Sequence, residues 1–393
     1  MNVPKLRFKE FNDELSNHKF KDICTFFSGG TPTSSNKEYY NGDIPFIRSG
    51  EIYSDNTELF INQDAINNSS AKLVNKGDLL LALYGATSGN VAISKIDGAI
   101  NQAILCINPQ YGYSKVYIKY LLENKKETIL KTFLQGGQGN LSAEIIKNLN
   151  YSFPQIEEQE KIGDFLSLLD KKIELQTKKI EDLKLFKKGL INKVINELTF
   201  YKKIELSELG VTYTGLTGKT KEDFENGESH YIPFVDILNN KINIDILPLV
   251  NIKKNEIQNK VRKYDLFFNT SSETANEVGL CTTLNFDIEN TYLNSFCFGY
   301  RINDVNKINN EYLNILLHSN IYRKKISILG QGFTRVNISK NKLMKIKVLI
   351  PSYKKQLEIV DVINIENNKI LLEESKLYKL QKLKKGLMQN MFV

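Results

Sequence analysis

PQIEEQEKIGDFLSLLDKKIELQTKKIEDLKLFKKGLINKVINE, residues 154–197, is the stretch whose reading decides the fold. Steps of four and three from Ile162 reach Leu166, Leu169, Ile173, Gln176, Ile180, Leu183, Lys187, Leu190 and Val194. That is the heptad seam of a helix that lies along another helix. Pro154 stands at its start, where the chain must leave a strand before a helix begins. A seam of about 40 residues with no cap inside it is long for an ordinary globular helix.

The stretch occurs twice. Adding 197, which is Pro351 minus Pro154, gives Ile359, Ile363, Glu366, Ile370, Glu373, Leu377, Leu380, Lys384, Leu387 and Met391. From Asn140 and Asn337 onward the copies align without a gap. Leu141-Ser142 matches Ile338-Ser339, Gln159 matches Gln356, and Lys187-Lys188-Gly189-Leu190 matches Lys384-Lys385-Gly386-Leu387. Polar residues take the same seam places, Gln176 with Glu373 and Lys187 with Lys384. Such residues cost stability and set register.

Upstream of each helix the pattern repeats as well. Ile44–Ile47, Leu79–Leu83, Asn90–Ile93 and Ala103–Ile107 are short apolar runs between Gly, Asn and Pro loops, which predicts a compact β-rich domain. A helix over Ser114–Thr132, a Gly/Gln loop over Gln135–Asn140, a short helix capped by Ser142 and a closing strand over Leu149–Phe153 follow. In the second half, Ile232-Pro233-Phe234-Val235 answers Ile44-Pro45-Phe46-Ile47, and Lys263–Phe268 answers Lys76–Leu81. A helix over Glu311–Leu329, the loop Gly330–Asn337 and a strand over Lys345–Ile350 complete the match. The loops differ, Tyr84-Gly85-Ala86-Thr87-Ser88 standing against Asn269-Thr270-Ser271-Ser272-Glu273.

The expected fold is therefore α+β: two pseudo-repeated β-rich domains separated by two long helices that pair as an antiparallel coiled coil. The boundaries fall at 1–153, 154–199, 200–350 and 351–393. The lead-in, Pro4-Lys5-Leu6-Arg7-Phe8 followed by Phe11, is expected to drape over a domain surface.

At 393 residues, 25% charged and 41% hydrophobic, the chain has the composition of a folded protein with room for two or three cores. Its net charge of +8 is a weak push toward a polyanionic partner. Cys24, Cys106, Cys281 and Cys297 stand far apart, and the chain has only three histidines, so neither structural zinc nor a disulfide framework is expected. No apolar run approaches the ~18 residues that span a bilayer, and a cytoplasmic location without membrane contact is expected.

Catalytic motifs are missing. There is no Pro-Pro, so the Asn/Asp-Pro-Pro-aromatic loop of an amino-methyltransferase is absent. Gly218-Lys219-Thr220 resembles the end of a phosphate-binding loop, but Tyr213 occupies the place of its first glycine. His18, His230 and His318 lack companions for acid–base chemistry. A binding module is the expectation, and the residue types suited to DNA phosphates and base edges sit on loops. They are Thr31, Arg48, Thr87, Ser88 and Gln138 in the first domain, and Lys219, Ser271, Ser272, Gln331, Thr334 and Arg335 in the second. Tyr84 and Phe333 have the chemistry to stack on bases, with core packing the commoner fate of either.

In this doubled order the chain resembles the specificity subunit of type I restriction-modification systems. The likeness rests on Pro154 with Gln159 and Ile162, and Pro351 with Gln356 and Ile359, each opening a long helix that ends in Lys-Lys-Gly-Leu. The Gly/Gln loops and the Pro4–Phe8 lead-in add to it. One departure is Leu169-Asp170 against Glu366-Asn367. The resemblance implies a non-catalytic adaptor in which each target-recognition domain reads one half of a split site on double-stranded DNA. It implies two methyltransferase subunits docked on the helices, and motor-nuclease (restriction) subunits beyond them. S-adenosylmethionine, ATP and Mg are then expected on those partners, and no cofactor in this chain. The alternatives are a self-contained DNA-modifying enzyme with diverged motifs, and a coiled-coil interaction protein that binds no DNA.

Overall fold

The computed structural model describes residues 3–133, 140–198 and 200–393. The chain divides into two compact units, Met1–Thr177 with Ser375–Val393, and Lys178–Glu374. Each unit holds one β-rich domain together with part of each long helix, Ile156–Glu197 and Tyr353–Met391.

The first unit is built on an antiparallel sheet in the order Cys24–Ser28, Ile104–Pro109, Leu79–Ala82, Val91–Ile93. The Leu79–Ala82 strand is buried throughout because both of its faces are covered. Leu79 and Leu81 pack with Tyr117 and Leu121 of the helix Lys115–Phe133. Leu80 and Ala82 face the other way, toward Ile47 and Ile100. These last two belong to a second sheet, in the order Phe60–Ile61, Ile44–Ile47, Gly98–Ile100, Lys72–Val74, whose central pair runs parallel.

The second unit repeats this plan. Its antiparallel sheet has the order Gly210–Thr214, Cys297–Ile302, Leu266–Asn269, Cys281–Thr283. Leu266 and Phe268 point into one core and Phe267 into another, the same alternation. In the smaller sheet Phe224–Ile232 runs parallel to Thr291–Leu293. A further three-stranded sheet joins Ser271–Ser272, Val336–Ile338 and Gly330–Gln331.

The repeat extends to single hydrogen bonds. The Leu141 amide donates to the Leu83 carbonyl at 2.9 Å, and the Ile338 amide to that of Thr270 at 2.9 Å. Gln159, 1% exposed, donates to the carbonyls of Pro154 (2.8 Å) and Gly112 (3.4 Å) and accepts from the Ser114 amide at 3.0 Å. Gln356, 0% exposed, does the same with Pro351 (3.0 Å), Lys307 (3.0 Å) and the Asn309 amide (2.8 Å). In each unit one glutamine thus ties the start of the long helix to the start of the domain helix, satisfying buried backbone groups that would otherwise be orphaned.

Seam positions Ile162, Leu166, Leu169 and Ile180 of the first long helix are buried, as are Ile359, Ile363, Ile370 and Met391 of the second. The polar seam residues find partners inside each unit. In the first, Lys384 Nζ lies 2.7 Å from Asp170 Oδ1 and 2.8 Å from Glu123 Oε1. In the second, Lys187 Nζ donates to Asn367 Oδ1 at 2.9 Å, and Lys179 and Lys184 reach Glu373 and Glu374 at 3.1 and 2.7 Å. The departure seen in the sequence, Asp170 against Asn367, turns an ion pair into a charge–amide contact at equivalent places.

Three expectations change. The helix read over Glu311–Leu329 is two helices, Asn310–His318 and Asn320–Ser327. Ser319 between them is extended (φ −65°, ψ 151°), and its hydroxyl donates to the Leu316 carbonyl at 2.7 Å. Ser and Asn side chains compete with the helical ladder for backbone partners, which breaks the run here. Secondly, Ile232-Pro233-Phe234-Val235 is not in the position of Ile44-Pro45-Phe46-Ile47. Ile232 ends its strand opposite Leu293, as Ile47 does opposite Ile100, and Phe234–Leu238 is helical. An apolar-Pro-aromatic match is local, whereas strand pairing decides place in the sheet. Finally, the lead-in lies on the long helices of its unit. The Leu6 amide donates to the Asn390 carbonyl at 2.9 Å, Arg7 forks onto Glu158 at 2.8 and 2.6 Å, and Phe8 meets Phe165 edge-on.

Candidate nucleic-acid interface

In the second unit the structure gathers five of the six sequence candidates on the three-stranded sheet. Ser271 pairs with Asn337 and Ser272 with Val336, while Gln331 pairs with Asn337 from the other side. Strands Gly330–Gln331 and Val336–Ile338 form a hairpin whose tip carries Phe333, Thr334 and Arg335, all exposed. Gly332 makes the tip feasible: its φ is +125°, and a Cβ there would fall 2.2 Å from the Arg335 carbonyl oxygen. The two serines are buried at 6% exposure each, and the Ser272 hydroxyl donates to Glu277 at 2.7 Å. Both serines underpin the hairpin from inside; Gln331, Thr334 and Arg335 present their side chains outward.

The chain flanking this hairpin is basic. From Asn320 to Lys347 the chain has eight basic residues (Arg323, Lys324, Lys325, Arg335, Lys340, Lys342, Lys345, Lys347) and no acidic one, against a net charge of +8 for all 393 residues. Arg323 is spent internally, donating to the carbonyls of Asn276, Val278 and Gly279. Lys324, Lys325, Lys342, Lys345 and Lys347 are exposed. Such a surface suits phosphates, while Arg335 and the amides of Gln331 and Asn337 have the donors and acceptors that base edges require. Asn337, Phe296 and the lysines were not singled out from the sequence. The absence of any acid over this run was the signal that would have found Asn337 and the lysines; Phe296 lies outside it.

Phe333 is not a core residue. It is fully exposed at the hairpin tip, and the Arg335 guanidinium lies 5.9 Å from the ring of Phe296, itself 56% exposed. Tyr84 of the first unit is 37% exposed.

The remaining candidates lie apart. The Lys219 ammonium is turned inward, its side chain 3% exposed, bonding Glu256 and the Asn251 carbonyl. The lysine's hydrogen bond holds the Glu256 carboxyl down at about 2. In the first unit the Thr31 hydroxyl donates to Gln102 Oε1 at 2.6 Å on an exposed loop. Arg48 is clamped by Glu51 at 2.9 Å and Glu58 at 2.5 Å. Burial alone would raise the Glu51 carboxyl, but Arg48 and the amides of Glu58 and Arg48 outweigh it and hold it at about 2. Thr87 donates to the Tyr84 carbonyl at 3.3 Å, and Ser88 is buried with its hydroxyl on the Leu83 carbonyl at 2.9 Å. Ser88 therefore holds its loop from within. Gln138 lies outside the described residues.

A second surface recurs, once in each unit. On the first unit's helix, Phe165, Leu168 and Leu175 are 38, 56 and 58% exposed. On the second unit's, the equivalent Val362, Ile365 and Leu372 are 43, 55 and 64% exposed. Spacings of three and seven place each trio along one helix face. No helix of the described residues is long and apolar enough to cross a membrane. None of those residues forms a group of three or more His, Cys, Asp or Glu that could hold a metal ion.

A family model for the type I restriction modification DNA specificity domain matches residues 12–185 and 200–382. The type I restriction enzyme MjaIX specificity subunit of Methanocaldococcus jannaschii is 33% identical over 187 residues, covering 44% of this chain and 43% of that protein. The chain thus spans under half the length of that relative. The MjaVIII specificity subunit of the same organism is 23% identical over 393 residues, covering 93% and 89%. Among solved structures, the type I restriction-modification S subunit from M. genitalium superposes with a TM-score of 0.59 at 16% identity, covering 100% of this chain and 99% of that one. A chain from a structure on complex assembly and conformational transition of the type I R-M system gives 0.62 at 12% identity, covering 97% and 98%. At these identities the structural likeness speaks for the fold.

Proposed function

The chain belongs to the type I restriction-modification DNA specificity family, as a non-catalytic specificity subunit with two recognition domains, and from that premise we propose that each domain reads one half of a bipartite target on double-stranded DNA. One observation carries the reading: the framework bonds recur at an offset of 197 (Gln159 and Gln356), while the loops around Tyr84 and Ser271 carry different side chains. A shared scaffold with unlike reading surfaces is what two different half-sites require. In the second domain the hairpin with Gln331, Thr334 and Arg335 supplies the base-reading groups and the lysines hold the backbone. In the first domain the loops with Thr31, Arg48 and Thr87, together with Gln138, take that role.

The long helices pair as an antiparallel coiled coil on this reading and set the gap between half-sites. The apolar trio that recurs on each helix supports docking of two copies of one partner, the methyltransferase subunit. That partner brings S-adenosylmethionine and methylates adenine. Motor-nuclease subunits bring ATP and Mg for restriction, in the cytoplasm. The test is methylation mapping of a methylation-free host carrying the cognate methyltransferase subunit with and without this chain. A split adenine motif dependent on the chain is expected. Absence of methylation while the complex assembles would overturn the reading.

A further inference from the structure

Resting on that reading, we propose that Phe333 is an intercalating wedge that enters the base stack of the half-site read by the second domain. Full exposure of a Phe at a hairpin tip leaves its ring in water, on a turn that requires Gly332 and on strands backed by Ser271–Ser272. Its neighbours on the hairpin are Gln331, Thr334 and Arg335, all exposed, and the run Asn320–Lys347 holds eight basic residues and no acidic one, which argues for a polyanion presenting apolar π-faces rather than for a protein groove. Duplex DNA fits that description only where a base step opens. Apolar side chains inserted at a step unstack it and kink the duplex. A methyltransferase acting on a base needs its target out of the stack, so a wedge on the specificity subunit would lower the cost of that extrusion for its partner. Arg335, beside the Phe296 ring, is placed to hold the backbone or a base edge next to the opened step. Of the two aromatics read from the sequence as able to stack on bases, the geometry favours Phe333, since Tyr84 is only 37% exposed.

The experiment uses the full chain assembled with its methyltransferase subunit, on the target defined by methylation mapping, with 2-aminopurine placed singly along each half-site. The wild-type complex should raise fluorescence at a step in the second half-site. Phe333→Ala should abolish that rise, leave the first half-site unchanged, and weaken specific binding ~10-fold, the scale of one lost stacking contact. Phe333→Trp should retain both signals. If Phe333→Ala keeps the fluorescence and affinity of wild type, or lowers assembly with the methyltransferase instead, the wedge is refuted while the bipartite reading stands. A wild-type complex that assembles but shows no salt-sensitive DNA binding overturns that reading and the wedge with it.

Discussion

The repeat provides an internal control in which one substitution at two equivalent places should have unequal consequences. Lys384→Met removes a cation, 14% exposed, from between Asp170 and Glu123. Lys119 remains 3.1 Å from Asp170 and 3.2 Å from Glu123, so one cation is left with two carboxylates. Breaking a fully buried pair costs several kcal/mol. Here the carboxylates are 34 and 35% exposed, which reduces the expected loss to about 1–3 kcal/mol. Lys187→Met removes a half-buried cation that donates a hydrogen bond to Asn367. Burial, and then Lys184, pull the pKa of Lys187 downward. At Lys384 burial pulls the same way, but the hydrogen bonds it donates to Asp170 and Glu123 overcome it and raise the value. Losing one charge–amide hydrogen bond at Lys187 costs about 2 kcal/mol and relief of desolvation returns a similar amount, so the net change should be within about 1 kcal/mol of zero. Two units need not unfold in one step, so amide hydrogen exchange resolved by unit is the suitable assay. Acid adds a sign test. Burial opposes ionisation of Asp170, yet Lys384 and Tyr120 hold it below the ordinary carboxylate range. Its stabilisation is present above that range and is lost as pH falls through the lowered value, so the penalty for Lys384→Met should shrink in acid. Equal losses at both sites, or a larger one at Lys187, would refute the reasoning.

Gln356→Ala should cost about 3 kcal/mol in the second unit, because it strands an amide and two carbonyls around a residue 0% exposed; denaturant titration checks it. Replacing Lys324, Lys325, Lys342 and Lys345 by Gln should lower the salt slope of DNA binding by about 3–4 and weaken all sequences alike, whereas Arg335→Ala should cost about 1–3 kcal/mol on the target only. Fluorescence titrations at several salt concentrations separate the two. His318 is pushed down to about 4, chiefly by burial and further by Arg323 and Lys187. It folds neutral, so stability is full above the unfolded value near 6.5, declines by about 3 kcal/mol as pH falls to about 4, and is flat below. The urea midpoint of His318→Gln should show less of that pH dependence. Deleting one heptad from both long helices removes about 10.5 Å, and methylation mapping should find the tolerated spacer shortened or lost.

Much of the fold was legible because a heptad seam is a local periodic signal, and a duplication makes it visible twice. Gln159 and Gln356 could be picked out by their matched positions, although the sequence did not say what they bond. The helix break at Ser319 and the false match of Ile232-Pro233-Phe234 to Ile44-Pro45-Phe46 were missed for one reason. Both depend on which partners polar groups choose: the Ser319 hydroxyl takes the Leu316 carbonyl three residues back, and the Phe224–Ile232 strand pairs with Thr291–Leu293 far along the chain.

The candidate site divides along the same line. Residue type identified polar loop groups suited to DNA, but accessibility depends on long-range packing. Lys219 turns inward to Glu256, 37 residues on, and Ser88, Ser271 and Ser272 are buried by strands and loops around them. Sequence alone therefore determined the repeat, the long helices and the chemical character of the loops, since these are properties of neighbouring residues. Only the tertiary structure decided which side chains face water, because burial is settled by segments that meet in space: Ser271 beside Asn337, and Phe333 left at the tip with nothing to cover it.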